Sequence, residues 1–152
     1  MQNNTELAVA ALRNGTVIDH IPSETLFKCV QILGLAGTTH RLTIGNNLES
    51  KRLGTKGIIK VADIFFPEAV LNRIALLAPS AVVNTIRDYK VVEKRNVVLP
   101  KQIRGIVKCH NPKCITNNEP MTTVFETVDD APGHIRCHYC NHMVANHKAI
   151  IL

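Results

Sequence analysis

The sequence predicts an α+β protein of two domains, and two observations lead to this prediction. Residues 1–100 alternate strand-like segments with two helix-like segments and end at a proline. Residues 101–152 are richer in cysteine, with four cysteines in two closely spaced pairs. Because each segment has a pattern of its own, we expect a domain boundary near Leu99, Pro100 and Lys101.

The first strand and helix follow from β-branched and apolar spacing. Residues 16–21 are mostly β-branched, follow a turn at Gly15 and end at Pro22, which predicts a strand. A helix should follow, capped by Ser23 and ended by Gly34 and Gly37. Its predicted apolar stripe consists of Leu26, Phe27, Val30 and Leu33.

The middle of the first domain predicts two strands and a second helix. Residues 41–45 and 58–61 have the composition of strands, and a long polar loop is expected between them. Pro67 and Glu68 favour a helix start, and Pro79 lies beyond its end. The apolar positions of this helix are Val70, Leu71, Ile74 and Leu77.

A last hairpin completes the domain, with strands at residues 81–87 and 89–94 and a turn at Asp88. The order strand, helix, strand, strand, helix, strand, with one extra strand, is typical of a ferredoxin-like split βαβ sheet with helices on one face. The other face or an edge would be left uncovered. A second copy of the chain is the commonest cover, which predicts a homodimer.

The four cysteines of residues 101–152 predict a small zinc-ribbon-like β domain with one structural Zn²⁺. They form a C-x4-C pair and a C-x2-C pair separated by 22 residues, namely Cys109, Cys114, Cys137 and Cys140. Four thiolates complete a tetrahedral shell and leave no position for a substrate. Two disulfides are the alternative, but they fit poorly with an odd cysteine count and no secretory signal pattern.

The fifth cysteine is expected to lie in the hydrophobic core. Cys29 lies in the first helical pattern without a partner cysteine or an activating base, and we expect a buried thiol.

No apolar run has the length of a membrane span. The prediction is a cytoplasmic protein without a membrane partner.

A formal net charge of +6 raises the question of nucleic-acid binding. Residues 101–152 carry six Lys or Arg against four Asp or Glu, and four thiolates with Zn²⁺ would bring that domain to about zero. Aromatic residues for base stacking are scarce, with no Trp, two Tyr and four Phe. We therefore expect no nucleic-acid partner, although a zinc-ribbon nucleic-acid-binding protein remains the alternative function. The sequence shows neither a nucleophile beside a base nor an open metal site, so we expect no enzyme activity.

The excess charge lies in the first domain, at the ends and rims of its strands. Asp19 and His20 end the first strand, and neighbouring strands carry lysines. A carboxylate among lysines suits a ligand with hydroxyls and phosphates. The alternative is that these lysines form only a solvated rim of the sheet and bind no ligand. The lysines are Lys56, Lys60, Lys90 and Lys94.

Four segments carry a resemblance to a known family. They are RNGTVIDHIP at 13–22, RLTIGNNL at 41–48, APSAVVN at 78–84 and CHNPKCI at 109–115. Together with the cysteine spacing, they resemble the aspartate carbamoyltransferase regulatory chain, nearly from end to end. The resemblance implies a nucleotide-effector-binding domain at 1–100 and a zinc-binding domain at 101–152 that contacts the catalytic chain.

The resemblance further implies a non-catalytic allosteric subunit in pyrimidine biosynthesis. Members of the family assemble as two catalytic trimers bridged by three regulatory dimers. CTP typically inhibits, sometimes with UTP, and ATP typically activates.

Site residues follow from the resemblance position by position. The ribose is expected at Asp19 and Lys60, the phosphates at His20 and Lys94, and Lys56 lies near enough to matter for charge. The base side is expected at Asn84, Tyr89 and Val91, with main chain and apolar surface from Val9, Ala11, Leu12 and Val17. Contacts to the catalytic chain are expected at Asn111 and Glu119. The sequence departs from its best-known relatives at Val128, Asp129, Asp130 and Ala131, where they carry several basic residues.

Overall fold

The computed structural model describes residues 11–152. The chain divides into two compact units between Val98 and Leu99. Within the described residues, no helix has the length and apolar character needed to cross a membrane.

The first unit is built on one antiparallel sheet of five strands. In chain order these are β1 (Gly15–Ile21), β2 (Leu42–Ser50), β3 (Gly54–Ala62), β4 (Val82–Arg87) and β5 (Lys90–Asn96). Their order across the sheet is β2-β3-β1-β4-β5. The first strand therefore lies between the third and the fourth, as in a split βαβ arrangement. The predicted α+β class and ferredoxin-like sheet are confirmed.

Two helical segments cover one face of this sheet. A 3-10 turn (Ser23–Thr25) leads into α1 (Leu26–Ile32), and α2 (Glu68–Asn72) continues as a 3-10 turn (Arg73–Leu76). The Thr25 hydroxyl donates a buried hydrogen bond of 2.8 Å to the Leu77 carbonyl, which joins the two segments. On the sheet, a Cβ at Gly57 would lie 2.8 Å from the Leu26 side chain. Only glycine therefore permits this close approach of α1 to β3.

The first helix differs from its prediction in two ways. Ser23 does not cap it, because the chain enters through a 3-10 turn and the Ser23 hydroxyl donates instead to Thr55 Oγ1 at 3.0 Å. Phe27 is 66% exposed and lies outside the apolar stripe. The buried positions are Leu26, Cys29 and Val30, whose spacing of three and four residues marks the face that contacts the sheet.

The long polar loop predicted between the second and third strands is wrong. Strands β2 and β3 extend through it as a hairpin, and only residues 51–53 connect them. The register shifts between Gly45 and Leu48, and Asn47 adopts a positive φ of 57° there. This bulge lets polar residues pair without the alternation by which strands are recognised.

The hairpin between β4 and β5 has a two-residue turn of Asp88 and Tyr89. Both residues have positive φ, 49° and 67°. Two such residues between antiparallel strands match the twist of the strands. The Tyr89 N–H donates to the Arg13 carbonyl at 2.9 Å, which fixes the turn against the chain just before β1.

The second unit consists of short strands and turns. The strands are β6 (Gln102–Arg104), β7 (Val107–Lys108), β8 (Val124–Thr127), β9 (His134–Cys137), β10 (Met143–Ala145) and β11 (Ile150–Ile151). Four of them form a sheet in the order β10-β9-β8-β6, and β7 pairs with β11. The fully buried side chains include Phe125, Ile135 and Val107. Such a small core supplies little stability alone.

Candidate functional site

The four predicted cysteine ligands meet at one point of the second unit. Their Sγ atoms all lie within 4.8 Å of one another. Cys109 Sγ is 3.6 Å from Cys140 Sγ, and Cys114 Sγ is 3.7 Å from Cys137 Sγ. Four sulfurs bound tetrahedrally at about 2.3 Å from one Zn²⁺ would be about 3.8 Å apart. The cluster therefore fits a tetrahedral metal ion.

The same distances reject the disulfide alternative. A disulfide requires sulfur atoms about 2.05 Å apart, and all five cysteines of the chain are free thiols. Burial raises the pKa of Cys109 to about 12, and burial also raises the pKa of Cys137. A bound cation would offset this cost, since it stabilises the thiolate form.

Side-chain amides hold the first cysteine loop in place. Asn117 Nδ2 donates to the carbonyls of Cys109 and Asn111, at 2.9 and 2.8 Å. Asn118 Nδ2 donates to the Cys114 carbonyl at 2.9 Å. Sequence reasoning missed both residues. The only sequence signal for them is that two amide residues follow the first cysteine pair. That signal does not show which carbonyls the amides bind, because their partners depend on how the loop closes.

Four of the residues predicted for the nucleotide lie in one row across the first-unit sheet. In the strand register, Val17 of β1 is opposite Lys60 of β3 and Asn84 of β4, and Asn84 is opposite Lys94 of β5. Residues opposite each other in antiparallel strands share a face. Ile59, the neighbour of Lys60, is fully buried on the face that carries the helices. The row therefore lies on the opposite, open face.

Asp19 lies on the open face two residues beyond Val17 and is paired with Lys56. Lys56 Nζ is 2.9 Å from Asp19 Oδ1 and 3.2 Å from Oδ2. The side chains are only 21% and 23% exposed. This partial burial makes the ion pair less screened than an ordinary surface pair. The sequence placed both residues at the site but did not predict that they contact each other.

His20 is held in an unusual conformation beside this pair. Its φ is 59°, in the left-handed region, where the register between β1 and β3 shifts. Its N–H donates to Asp19 Oδ1 at 2.6 Å, and its carbonyl accepts from the Ser80 hydroxyl at 2.8 Å. Its ring Nδ1 is buried without a hydrogen-bond partner among the described residues. Ser80 was missed by sequence reasoning, because it reaches the site only through this backbone contact.

The remaining predicted residues of the first unit surround the row unevenly. Tyr89 and Val91 are 68% and 57% exposed, at the β4–β5 turn and on β5. Leu12 is buried, and the Ala11 carbonyl accepts a hydrogen bond of 3.2 Å from Arg41. Val9 lies outside the described residues.

The residues predicted to contact the catalytic chain lie around the first cysteine loop. Asn111 Oδ1 accepts from the Lys113 N–H at 3.0 Å, which shapes the loop between Cys109 and Cys114. Glu119 is exposed just after this loop.

A ferredoxin-like sheet with a charged open face, followed by a four-cysteine metal centre, defines a two-domain, metal-binding protein. Residues 7–98 match the family model described as aspartate carbamoyltransferase regulatory chain, allosteric domain. Residues 101–150 match the model of the metal binding domain of the same regulatory chain. The chain belongs to the aspartate carbamoyltransferase regulatory chain family, as its motifs predicted.

Three relatives, each named aspartate carbamoyltransferase regulatory chain, illustrate the similarity. The protein of Phocaeicola vulgatus is 59% identical over 91% of this chain and 89% of its own length. That of Parabacteroides distasonis is 53% identical over 99% and 97%. That of the archaeon Pyrococcus horikoshii is 50% identical over 89% and 90%. The family is that of a regulatory chain with an allosteric domain, which confirms the prediction of a non-catalytic subunit.

Proposed function

We propose that this chain binds nucleoside triphosphates on the open sheet face and transmits the effect of that binding to a catalytic chain of aspartate carbamoyltransferase. The observation that carries the proposal is the row of Lys60, Val17, Asn84 and Lys94 beside the pair of Asp19 and Lys56. Three strand spacings, about 14 Å in all, separate the backbones of Lys60 and Lys94. Two long cationic side chains can therefore reach one ligand lying between them.

Each group is given the part of the nucleotide that the family resemblance implies and that its chemistry suits. Asp19 accepts hydrogen bonds from ribose hydroxyls, and Lys60, on the neighbouring strand β3, lies on the ribose side. His20 and Lys94 contact the phosphates. The base is bounded by Asn84, Tyr89 and Val91, with Ala11, Leu12, Val17 and Val9 providing main chain and apolar surface.

The ion pair gives the site a way to respond to its ligand. Lys56 Nζ lies 2.9 Å from Asp19 Oδ1 and neutralises it. A ribose hydroxyl that hydrogen-bonds Asp19 weakens this contact, and the released Lys56 ammonium turns toward the phosphates. Binding thereby exchanges one internal ion pair for two contacts with the ligand. Allosteric control requires in addition that this exchange be more favourable in one of two states of the assembly than in the other.

The second unit supplies the attachment. One structural Zn²⁺ per chain, held by the four cysteines, orders the loop that carries Asn111 and Glu119, and these residues contact the catalytic chain. Homodimers of the regulatory chain bridge two catalytic trimers. In this assembly CTP and UTP inhibit and ATP activates carbamoyl aspartate formation in pyrimidine biosynthesis.

The test mixes the zinc-loaded chain with its cognate catalytic trimer and measures aspartate saturation with and without CTP, UTP and ATP. The mass of the assembly is recorded in the same samples. We expect a large complex whose half-saturation moves with nucleotide, and a smaller response with Lys94→Gln. Lys51→Gln, an exposed change outside the row, serves as the control. A complex indifferent to all three nucleotides would contradict the proposal, and so would the lack of a complex.

A further inference from the structure

A second cavity of the first unit lies on the helix-bearing face, opposite the row proposed for the nucleotide. Its volume is about 250 Å³. Thr16 and Thr85, which are opposite each other in β1 and β4, line its floor. Phe65 and Phe66, before α2, form one wall, and Glu93 of β5 lies on another. None of these residues belongs to the proposed nucleotide site.

Two guanidinium groups line this cavity, and each is held in place. Arg87 stacks on Phe65, with its Cζ 4.2 Å from the ring centroid. Stacking uses the face of the guanidinium and leaves its in-plane N–H groups available to an acceptor. Arg95 Nη1 lies 3.0 Å from Glu68 Oε1. Its Nη2 is buried and lacks an acceptor among the described residues, so this group gains from a nearby anion.

The charged side chains that line the cavity only partly neutralise one another. Glu68 neutralises Arg95, which leaves the cation of Arg87 on β4 and the anion of Glu93 on β5. A simple anion would be attracted by the first and repelled by the second. A ligand with both charges, one carboxylate and one ammonium, satisfies the two together. The apolar part of the lining, with Leu71 and Val83 beside the two phenylalanines, requires an apolar body as well.

We propose that this cavity binds a small α-amino acid with an apolar side chain. Its carboxylate accepts from Arg87, and its ammonium donates to Glu93. Its side chain packs against Phe66 and Leu71. The Thr16 hydroxyl already donates to the Ile64 carbonyl at 2.6 Å, so it is not available as a donor to the carboxylate. The site is independent of the nucleotide site and does not rest on the function proposed above.

The first experiment titrates the zinc-loaded full chain with L-leucine and follows amide resonances by two-dimensional NMR. We expect saturable shifts at Thr16 and Thr85, on the cavity floor. L-leucinamide lacks the carboxylate and N-acetyl-L-leucine lacks the ammonium, while both keep the side chain. Each should bind at least about tenfold more weakly, because each loses one charge-assisted hydrogen bond.

Variants then separate the cavity from the rest of the chain. Arg87→Gln and Glu93→Gln alter exposed side chains and should each weaken L-leucine binding by about tenfold. Arg52→Gln, in the β2–β3 turn, removes an exposed arginine outside the cavity and should leave the affinity unchanged. Unchanged amide spectra without ligand verify that the variants fold. The proposal is overturned if L-leucine gives no saturable shift, if L-leucinamide binds as tightly, or if both cavity variants bind normally.

Discussion

Replacing one metal ligand should unfold the second unit and leave the first intact. In Cys114→Ser, a hydroxyl that is a much weaker ligand replaces a buried thiolate 3.7 Å from Cys137 Sγ. Structural Zn²⁺ contributes about 10–16 kcal/mol to small zinc domains. An equal share for each of four ligands is therefore roughly 2.5–4 kcal/mol.

That loss is comparable with the whole stability of the unit. At roughly 0.05–0.15 kcal/mol per residue, a domain of the length from Leu99 to Leu152 has about 3–8 kcal/mol. The first unit has its own core, with Ile18, Ile59 and Leu26 fully buried, and does not share the metal. We therefore expect assembly with the catalytic chain to be abolished while nucleotide binding is partly retained.

The assay combines metal content, amide NMR spectra and calorimetric titration with CTP. Cys29→Ala is the matched control, because Cys29 is equally buried but lies outside the cluster. It should retain one metal ion per chain and the amide spectrum of residues 101–152. The reasoning fails if zinc-free or Cys114→Ser chain still assembles stoichiometrically, or if Cys29→Ala loses the metal.

Three further outcomes follow from the first unit. Lys56→Met should weaken CTP binding about tenfold or more, because it removes a charged contact. Lys51→Met should leave CTP binding unchanged, and calorimetric titration compares the two variants. Gly15→Ala should destabilise the fold by several kcal/mol, because its Cβ would clash with the Val61 carbonyl oxygen. Gly37→Ala, with open space around it, should not, and thermal unfolding compares the two variants. Burial raises the pKa of Cys29 to about 12, so iodoacetamide at pH 8 should label this thiol only after unfolding. Mass spectrometry reads the labelling, and rapid labelling of the folded chain would contradict the prediction.

The fold could be predicted where local pattern decides it. Strand β1 is marked by its β-branched run and by Pro22, and the cysteine spacing alone predicted the four-cysteine cluster. The β2–β3 hairpin could not be predicted, because the bulge at Asn47 breaks the alternation and no residue of β2 is fully buried. Phe27 was misplaced since a seven-residue helix buries a narrow stripe, and apolarity alone does not tell which side faces the sheet.

The candidate site divides along the same line. Lys60 could be assigned to one patch with Asp19 and His20 because strand neighbours follow from the fold class, whereas Asn84 was assigned through the family resemblance. The contact between Asp19 and Lys56 depends on the register shift after Ile18, which no sequence pattern announces. The left-handed conformation of His20 likewise arises from tertiary context, where neighbouring contacts offset a backbone cost of about 1–3 kcal/mol.

The pairing of charges in the first unit decides how much of the chain's net charge of +6 is left for an anionic ligand. Several cations of the first unit are already matched, since Lys56 contacts Asp19, Arg95 contacts Glu68 and Arg13 lies 3.7 Å from Asp88. What the open face presents is Lys60 and Lys94 at the two ends of one row, with a paired carboxylate beside it. A nucleic-acid backbone is bound best by a continuous cationic stripe, whose affinity grows with each phosphate neutralised. The two cations of the row are instead about three strand spacings apart, about 14 Å, which in the proposed function places Lys94 at the phosphates and Lys60 at the ribose of one nucleotide, and the paired carboxylate beside the row requires that ligand to bring hydroxyl donors as well.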